Sequence, residues 1–453
     1  MNGKKAETVR ELAVELVWQV LEKGLYSNLI LKETLDKNKL LTSDRNLLTQ
    51  IVNGTVRMSK HLDWVLDLFL QDPKILKNLW FRNILRVALY QILFMDKIPA
   101  YACVNDAVTL CKKKANAKLA GVCNGVLRNI IRNRHNIKYP RDPRHFLAVF
   151  YSFPEWIVSY LVESLGSEEA EKVMKYFNEP PLVTLRTNTL KTQREQLLSI
   201  LEREKVSAVP NSLVPWGIVV ESSPNPLTEL DSFQKGLYYV QNEASMLAAA
   251  ILEPHPGNLV FDLCCGVGGK TTHLAEMMEN RGKIWAIDLY PHKLKVLKEN
   301  CSRLGITNVE TLVADLGRGA DLREKADKVL LDAPCSGLGV LNRRADLRWH
   351  RSPQDLKELA QLQRSLLLHA GEMVRKGGLL LYSTCTIGAE ENEKVVEGFL
   401  SGGNFALESF ASKIAFFPLE HNDKISASKG MLTIMPGKYN TDGMFYALMR
   451  RTN

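Results

Sequence analysis

Five short apolar runs, separated by segments long enough to be helices, constrain the C-terminal part of this chain more than any other feature. They are Leu259–Leu263, Lys283–Ile287, Val309–Val313, Lys328–Leu331 and Leu379–Tyr382, with helical patterns such as Pro291–Leu304 and Pro353–Arg375 between them. Strands that are apolar on both faces and alternate with helices fit a parallel, doubly wound sheet. Such a sheet meets its ligands just beyond the carboxyl ends of its strands. Two of these ends carry thiols. The fourth run leads into Asp332-Ala333-Pro334-Cys335-Ser336-Gly337, and the fifth into Ser383-Thr384-Cys385-Thr386.

The preceding chain has a different rhythm. Residues 1–140 keep apolar positions three or four apart, as in Val9, Leu12, Ala13, Leu16, Val17, Val20 and Leu21 before Gly24. No period-two alternation occurs there, so a helical bundle is predicted, with Ser43 as a helix cap. Residues 139–146 hold two prolines and read as a linker. Short helices and a small α/β unit follow, with strands at Leu182–Arg186, Ser207–Val209 and Ile218–Glu221. Leu237–Val240 reads as the strand that opens the last domain, and Gly430–Ile434 with Met444–Met449 as a hairpin closing its edge. Three domains are predicted: 1–140 helical, 141–235 linker helices plus small α/β, and 236–453 α/β.

Charge separates the parts as well. Residues 1–140 carry 23 Lys and Arg against 12 Asp and Glu, and the remainder 36 against 38. A basic segment joined to a nearly neutral remainder points to a polyanionic partner. Lys112, Lys113, Lys114, Arg128, Arg132 and Arg134 are candidate phosphate contacts. Asn342, Arg343, Arg344, Arg348, Trp349, His350 and Arg351, next to Cys335, could grip an RNA backbone and stack a base, although Trp349 could equally pack in a core. None of the eight cysteines forms a CxxC pair, so no metal is expected and free thiols in a reducing, cytoplasmic setting fit best. No membrane segment is expected.

The first run of the sheet leads into Cys264-Cys265-Gly266-Val267-Gly268-Gly269-Lys270, a glycine-rich turn at a helix start that does not have P-loop spacing. Asp262, Asp288 and Asp315 stand at three successive strand ends. An acid suits a ribose diol at the second position and an adenine amino group at the third. With no pyrophosphate-binding feature, S-adenosylmethionine is the predicted cofactor. A thiolate can add to C6 of a pyrimidine, which turns C5 into a nucleophile able to take a methyl group. A proton or hydrogen bond at N3 makes cytosine attackable, and Asp332 is the candidate donor. A second group must then help the C5 proton leave. These residues alone do not say which thiol attacks. Asn392, in Glu390-Glu391-Asn392-Glu393, stands out beside acids that only suit a helix start.

Asp332–Gly337, Tyr382–Thr386 with Glu390–Glu393, and the Asp262–Thr272 turn resemble the motifs of the Sun/Fmu-type RNA 5-methylcytosine methyltransferases. The N-terminal segment, through Asp44-Arg45, Asn53–Arg57, Leu89–Ala100 and Asn124–Arg132, is similar to the NusB-like domain of the RsmB-type 16S ribosomal RNA branch. The resemblance covers essentially the whole chain. It implies a NusB-like helical bundle, a small α/β RNA-recognition-like domain and a Rossmann-like class I methyltransferase domain. It also implies methyl transfer from S-adenosylmethionine to C5 of a cytosine in 16S ribosomal RNA, free or partly assembled; a monomer is the default expectation. By the same resemblance Cys385 is the nucleophile and Cys335 assists release, while Asp332 and Lys270 contact the cytosine. Cys264, Cys265, Gly266, Val267, Gly268, Gly269 and Lys270 would line the methionine end of the cofactor, Asp288 and Asp315 would hold ribose and adenine, and Asp332 would border both ligands. Methylation of another RNA such as tRNA, or a non-catalytic role in ribosome assembly, are the alternatives. Two differences from the family stand out. The turn usually reads Cys-Ala-Ala-Pro-Gly-Gly-Lys-Thr, and residues 342–346 more often read Arg-Arg-His-Pro-Asp.

Overall fold

The computed structural model describes residues 8–38, 40–318 and 324–453. The chain forms two compact units: residues up to Glu179 with Leu341–Arg351, and Pro180–Val340 with Ser352–Asn453.

The described residues of the first unit form helices. Helix Val9–Lys23 buries Leu12, Ala13, Leu16, Val17 and Val20, and it ends where Gly24 turns left-handed at φ 70°. A side chain is disfavoured in that conformation, which makes glycine the natural stop. Helix Thr42–Arg57 starts two residues earlier than a cap at Ser43 would give; Leu41 is its cap residue and Ser43 lies in the first turn. Helix Leu79–Phe94 is the most enclosed, and Ala117–Asn133 follows one π-helical turn, Cys111–Ala115. That turn holds the three-lysine run, but Lys113 and Lys114 pair with Glu11. These two cations are thus partly spent inside the bundle. Asp63 accepts from Arg86 at 2.7 and 2.8 Å and also from Arg82, while Arg86 reaches Glu22 at 3.1 Å. Burial pushes the Asp63 carboxyl up, but the two guanidinium groups overrule it and hold it below its ordinary range.

The segment Leu341–Arg351 corrects an expectation. It packs within the helical unit instead of presenting an RNA-gripping face. Arg348 is fully buried, donates to the Ser152 carbonyl (3.1 Å) and Asn178 Oδ1 (3.0 Å), and stacks over Phe153 at 4.0 Å. Trp349 Nε1 donates to the Val56 carbonyl at 2.7 Å, and Asp346 accepts from the Ser27 amide and hydroxyl. Asn342 is buried, its carbonyl accepts from Arg57 Nη2 at 2.8 Å, and His350 meets Tyr26 edge-on. The planar Arg348 guanidinium is held because carbonyls and an amide accept from its two Nη groups, while the buried Nε has no partner among the described residues. Of this stretch, only Arg343 is exposed.

In the second unit, strands β1 (Val183–Thr187), β2 (Ser207–Pro210), β3 (Gly217–Ser222) and β4 (Tyr238–Val240) make an antiparallel sheet in the order β2-β3-β1-β4. Helix Arg194–Arg203 covers it with Leu197 and Leu201. Strand β4 was expected to open the last domain. It pairs with β1 instead, Arg186 opposite Tyr239, as the edge of this small sheet.

The larger sheet contains β5 (Leu259–Leu263), β6 (Lys283–Asp288), β7 (Val309–Val313), β8 (Ala326–Asp332), β9 (Val374–Thr384), β10 (Phe405–Leu407), β11 (Met431–Ile434) and β12 (Met444–Arg451). Its order is β10-β12-β9-β8-β5-β6-β7, with β11 also on β12. β5 to β9 are parallel, and β12 joins antiparallel to β9. The expected hairpin exists, but β12 is not an edge: β9 lies on one side of it, β10 and β11 on the other. Helix Pro353–Met373 is started by a reciprocal cap between Ser352 and Asp355. It stops two residues short of the predicted Arg375, where β9 begins. Strand order runs outward in opposite directions from the β5–β8 pair, so a crevice opens above those two ends.

Candidate active site

Register brings the two thiol loops together. In the parallel β8–β9 pair Asp332 lies opposite Ser383. Ser383 Oγ donates to Asp332 Oδ1 at 2.8 Å, and the Ala333 amide donates to the Ser383 carbonyl at 2.9 Å. Cys335, three residues past one strand end, and Cys385, one past the other, put their sulfurs 3.2 Å apart. Both are half-buried. Hydrogen bonding with Cys385, then burial, raises the Cys335 thiol well above the ordinary value. Hydrogen bonding with Cys335 lowers the Cys385 thiol against burial, and Lys270 adds to the lowering. One thiol therefore carries the proton and donates it toward the other, which is the better nucleophile.

Lys270, in the first turn of helix Gly269–Met277, reaches Asp332 Oδ2 at 2.6 Å. Burial opposes its charge, but Asp332 keeps the ammonium above the ordinary lysine value. Asp332 thus accepts from two donors and remains about one-third exposed.

The glycine turn adjoins this group. Gly268 sits at φ 90°, where a Cβ would come within 2.0 Å of Leu297 Cδ1. Gly266, at φ 58°, faces open space, with nothing within 4 Å of a Cβ. Its amide donates to Asp288 Oδ2 at 2.9 Å, and the Tyr290 amide to Oδ1 at 2.9 Å. A carboxylate has about four acceptor sites, so Asp288 keeps capacity for a diol. Val267, expected at the methionine end, is exposed, as are Leu289, Tyr290 and Val313, three apolar side chains beside these strand ends that the sequence pattern did not single out. Asp315 is exposed and accepts from the Gly317 amide at 3.0 Å. Cys264 holds a left-handed φ of 62°, and its thiol is pushed up to about 12 by burial and then by Asp288, Asp332 and Asp262. Cys265 turns into the apolar core beneath the sheet, so only its backbone borders the turn. Asp262 is fully buried, accepts from Thr271 Oγ1 at 2.5 Å, and leaves Oδ1 unpartnered. The open cradle at Gly266 and the acids with spare acceptor sites fit an adenosyl amino acid. Among the described residues no group of three His, Cys, Asp or Glu could hold a metal.

Two further clusters had no sequence signal beyond residue type. Arg186 of β1 is fully buried, donating to Glu276 Oε1 (2.8 Å) and Oε2 (3.0 Å), Thr272 Oγ1 (2.8 Å), the Gly269 carbonyl (2.7 Å) and Gln241. It ties the small sheet to the helix that follows the glycine turn. Glu391 and Asn392 are fully buried behind the thiols. Only Asn392 was marked out in the sequence, and without a role.

Comparison with known proteins decides the family. A 16S rRNA methyltransferase RsmB/F model matches residues 249–450, a NusB family model 7–132, and an RsmF/B-like ferredoxin-like domain model 153–226. The probable ribosomal RNA small subunit methyltransferase B of Bacillus subtilis is 35% identical, covering 99% of each chain. The chain belongs to the ribosomal RNA small subunit methyltransferase B family. Its probable relative in Synechocystis is 33% identical over 98% of this chain and 99% of its own. The crystal structure of PH0851 matches with a TM-score of 0.80 and 29% identity, covering 99% of this chain and 100% of its own. That of NSun6 from Pyrococcus horikoshii with SFG gives 0.60 and 28%, covering 67% and 100%. The fold is the expected one: a NusB-like helical domain, a ferredoxin-like middle domain and a Rossmann-like methyltransferase domain.

Proposed function

We propose that this RNA methyltransferase moves the methyl group of S-adenosylmethionine to C5 of a cytosine in 16S ribosomal RNA through a covalent enzyme–RNA adduct. The observation that supports it most is the pair of strand-end thiols 3.2 Å apart beside the Lys270–Asp332 ion pair. SFG, an S-adenosylmethionine analogue, accompanies the related NSun6 structure, which supports the cofactor assignment.

When bound, S-adenosylmethionine supplies an electrophilic methyl group. The turn Cys264–Lys270 would hold its methionine end, Asp288 its ribose and Asp315 its adenine. The chain's own residues do the rest. Cys385, the lowered thiol, forms a bond to C6 of a cytosine unstacked from its RNA. Negative charge then develops on the ring, and a proton at N3 relieves it. Asp332 faces N3 in this reading and relays to it a proton from the Lys270 ammonium, 2.6 Å away. Methylated C5 then gives its proton to a water molecule; the C5–H electron pair restores the ring double bond, the C6–sulfur pair leaves with Cys385, and N3 returns its proton through Asp332 to Lys270. Cys335, the proton-bearing thiol, assists this release by returning a proton to the departing Cys385 sulfur.

The test is incubation with labelled S-adenosylmethionine and deproteinised 16S RNA, followed by mapping of the label. Label on C5 of a cytosine is the expected result; no transfer to any cytosine sinks the proposal, and label only on transfer RNA moves the substrate. Cys335→Ala should accumulate a denaturant-resistant protein–RNA adduct and Cys385→Ala should not; the reverse outcome swaps the roles.

A further inference from the structure

Behind the thiols lies a buried dipeptide whose two side chains each bind residues flanking one of them. Glu391 Oε1 accepts from the Ser336 amide at 2.8 Å, and Oε2 from the Ser336 hydroxyl at 2.5 Å. Gln363 Nε2 donates to Glu391 Oε1 at 2.9 Å and to the Pro334 carbonyl at 2.9 Å. Cys335 is thus held on both sides, at Pro334 and at Ser336. Asn392 does the same for Cys385: Oδ1 accepts from Thr384 Oγ1 at 2.6 Å, and Nδ2 donates to the Thr386 carbonyl at 3.1 Å. Ser336 Oγ and Thr386 Oγ1, 2.8 Å apart, join the two loops. The Tyr382 hydroxyl donates to the Glu391 carbonyl at 2.6 Å and anchors the dipeptide to β9.

We propose that Glu391 and Asn392 are positioning residues for methyl transfer, a brace that fixes the spacing of the two thiols and assigns their unequal roles. The proposal rests on the reading of Cys335 and Cys385 as the reacting pair. Fixing both neighbours of each cysteine leaves its sulfur only side-chain rotation, so the 3.2 Å contact is built in before RNA arrives. The two halves of the brace differ in charge. Glu391 brings a buried carboxylate to the Cys335 loop, where a second negative charge is disfavoured; Asn392 brings a neutral amide to Cys385. Charge therefore favours the proton on Cys335, and Cys335 donates to Cys385. An amide in place of Glu391 preserves the shape and weakens the asymmetry, leaving the part that Lys270 supplies beside Cys385.

The experiment uses the full chain without RNA. Wild-type protein, Glu391→Gln and Asn392→Ala are alkylated with limiting iodoacetamide at pH 7 to 9, and peptide mass spectrometry gives the Cys385 to Cys335 labelling ratio. Wild type should label Cys385 preferentially. In Glu391→Gln the ratio should fall about tenfold, the equivalent of one pKa unit between the thiols. In Asn392→Ala, where Cys385 loses its mooring, the two loops should also oxidise to the Cys335–Cys385 disulfide under hydrogen peroxide at a rate different from wild type, two thiols giving one disulfide and peroxide giving two waters. With RNA and S-adenosylmethionine, Glu391→Gln should show slowed release of the adduct, while Glu391→Asp should restore part of the labelling ratio. An unchanged ratio in Glu391→Gln, in protein with a wild-type circular dichroism spectrum, overturns the brace. The labelling arm needs no methyl transfer. If the cysteine variants show no adduct but the ratio still shifts, the function fails and the brace stands.

Discussion

Replacing Arg186 with methionine should destabilise the second unit in a manner that depends on pH. Arg186 and Glu276 are 0% and 1% exposed, and the guanidinium reaches both carboxylate oxygens. Methionine fills much of the volume but leaves the carboxylate buried without a cation. Breaking a buried pair from one side costs about 3–5 kcal/mol. Burial already raises the Glu276 carboxyl above its ordinary value despite Arg186, so removing the cation raises it further. A folded-state value above the unfolded one means that the folded chain holds an extra proton between the two. Stability is then greatest below the unfolded value, near pH 4.3, and falls by about 1.4 kcal/mol per pH unit until the folded value is passed. The loss in Arg186→Met should therefore be small at pH 5 and reach its full size at pH 8. Urea unfolding at several pH values, with hydrogen exchange of the peptide spanning helix Gly269–Met277 as the local readout, measures it. Adding Glu276→Leu should recover most of the loss and remove the slope. A loss in Arg186→Met that is equal at pH 5 and pH 8 refutes the reasoning, as does no loss at all.

Other outcomes follow from the same geometry. Asp262, its carboxyl pushed up to about 7 by burial, should hold a proton that the unfolded chain releases near pH 3.9; stability present at pH 4 is lost as pH rises toward 7, and Asp262→Asn should flatten that slope in urea unfolding. Asp63 has the opposite sign, so the helical unit's stabilisation from Arg82 and Arg86 should be present above pH 4 and lost as acid protonates Asp63; Asp63→Asn should cost about 3–5 kcal/mol at pH 7 by circular dichroism. Lys270→Met removes the cation beside Asp332 and Cys385, and single-turnover methylation should fall about 100- to 1,000-fold. Gly268→Ala meets Leu297 at a left-handed φ; local strain of about 1–3 kcal/mol should appear as weaker S-adenosylmethionine binding in calorimetry.

Much of the large sheet was legible because its central strands β5, β8 and β9 are largely buried on both faces. β5 and β7 match the apolar runs residue for residue. Once those strands were aligned in parallel, Lys270, Asp332, Cys335 and Cys385 had to meet near adjacent carboxyl ends. Legibility failed where local pattern was short or served two purposes. Three-residue β4 and β10 carry too few residues to show a period, and β4 looked like part of the next domain because it lies just before it in sequence. The basic stretch 342–351 read as an RNA grip because charge and aromatics look the same on a surface or in a core. Its burial depends on carbonyls of Ser152, Phe177 and Val56, remote in sequence.

The sequence by itself determined that this chain has a helical basic part and a parallel sheet whose strand ends carry acids and thiols, since periodicity and residue type are local properties. Only the tertiary structure decided which polar groups are partners. Arg186 finds Glu276 ninety residues away, and Glu391 finds the Ser336 loop fifty-five residues back. Whether such groups form an ion pair, a brace or a nucleophile depends on distance and burial, and these exist only after the chain has folded.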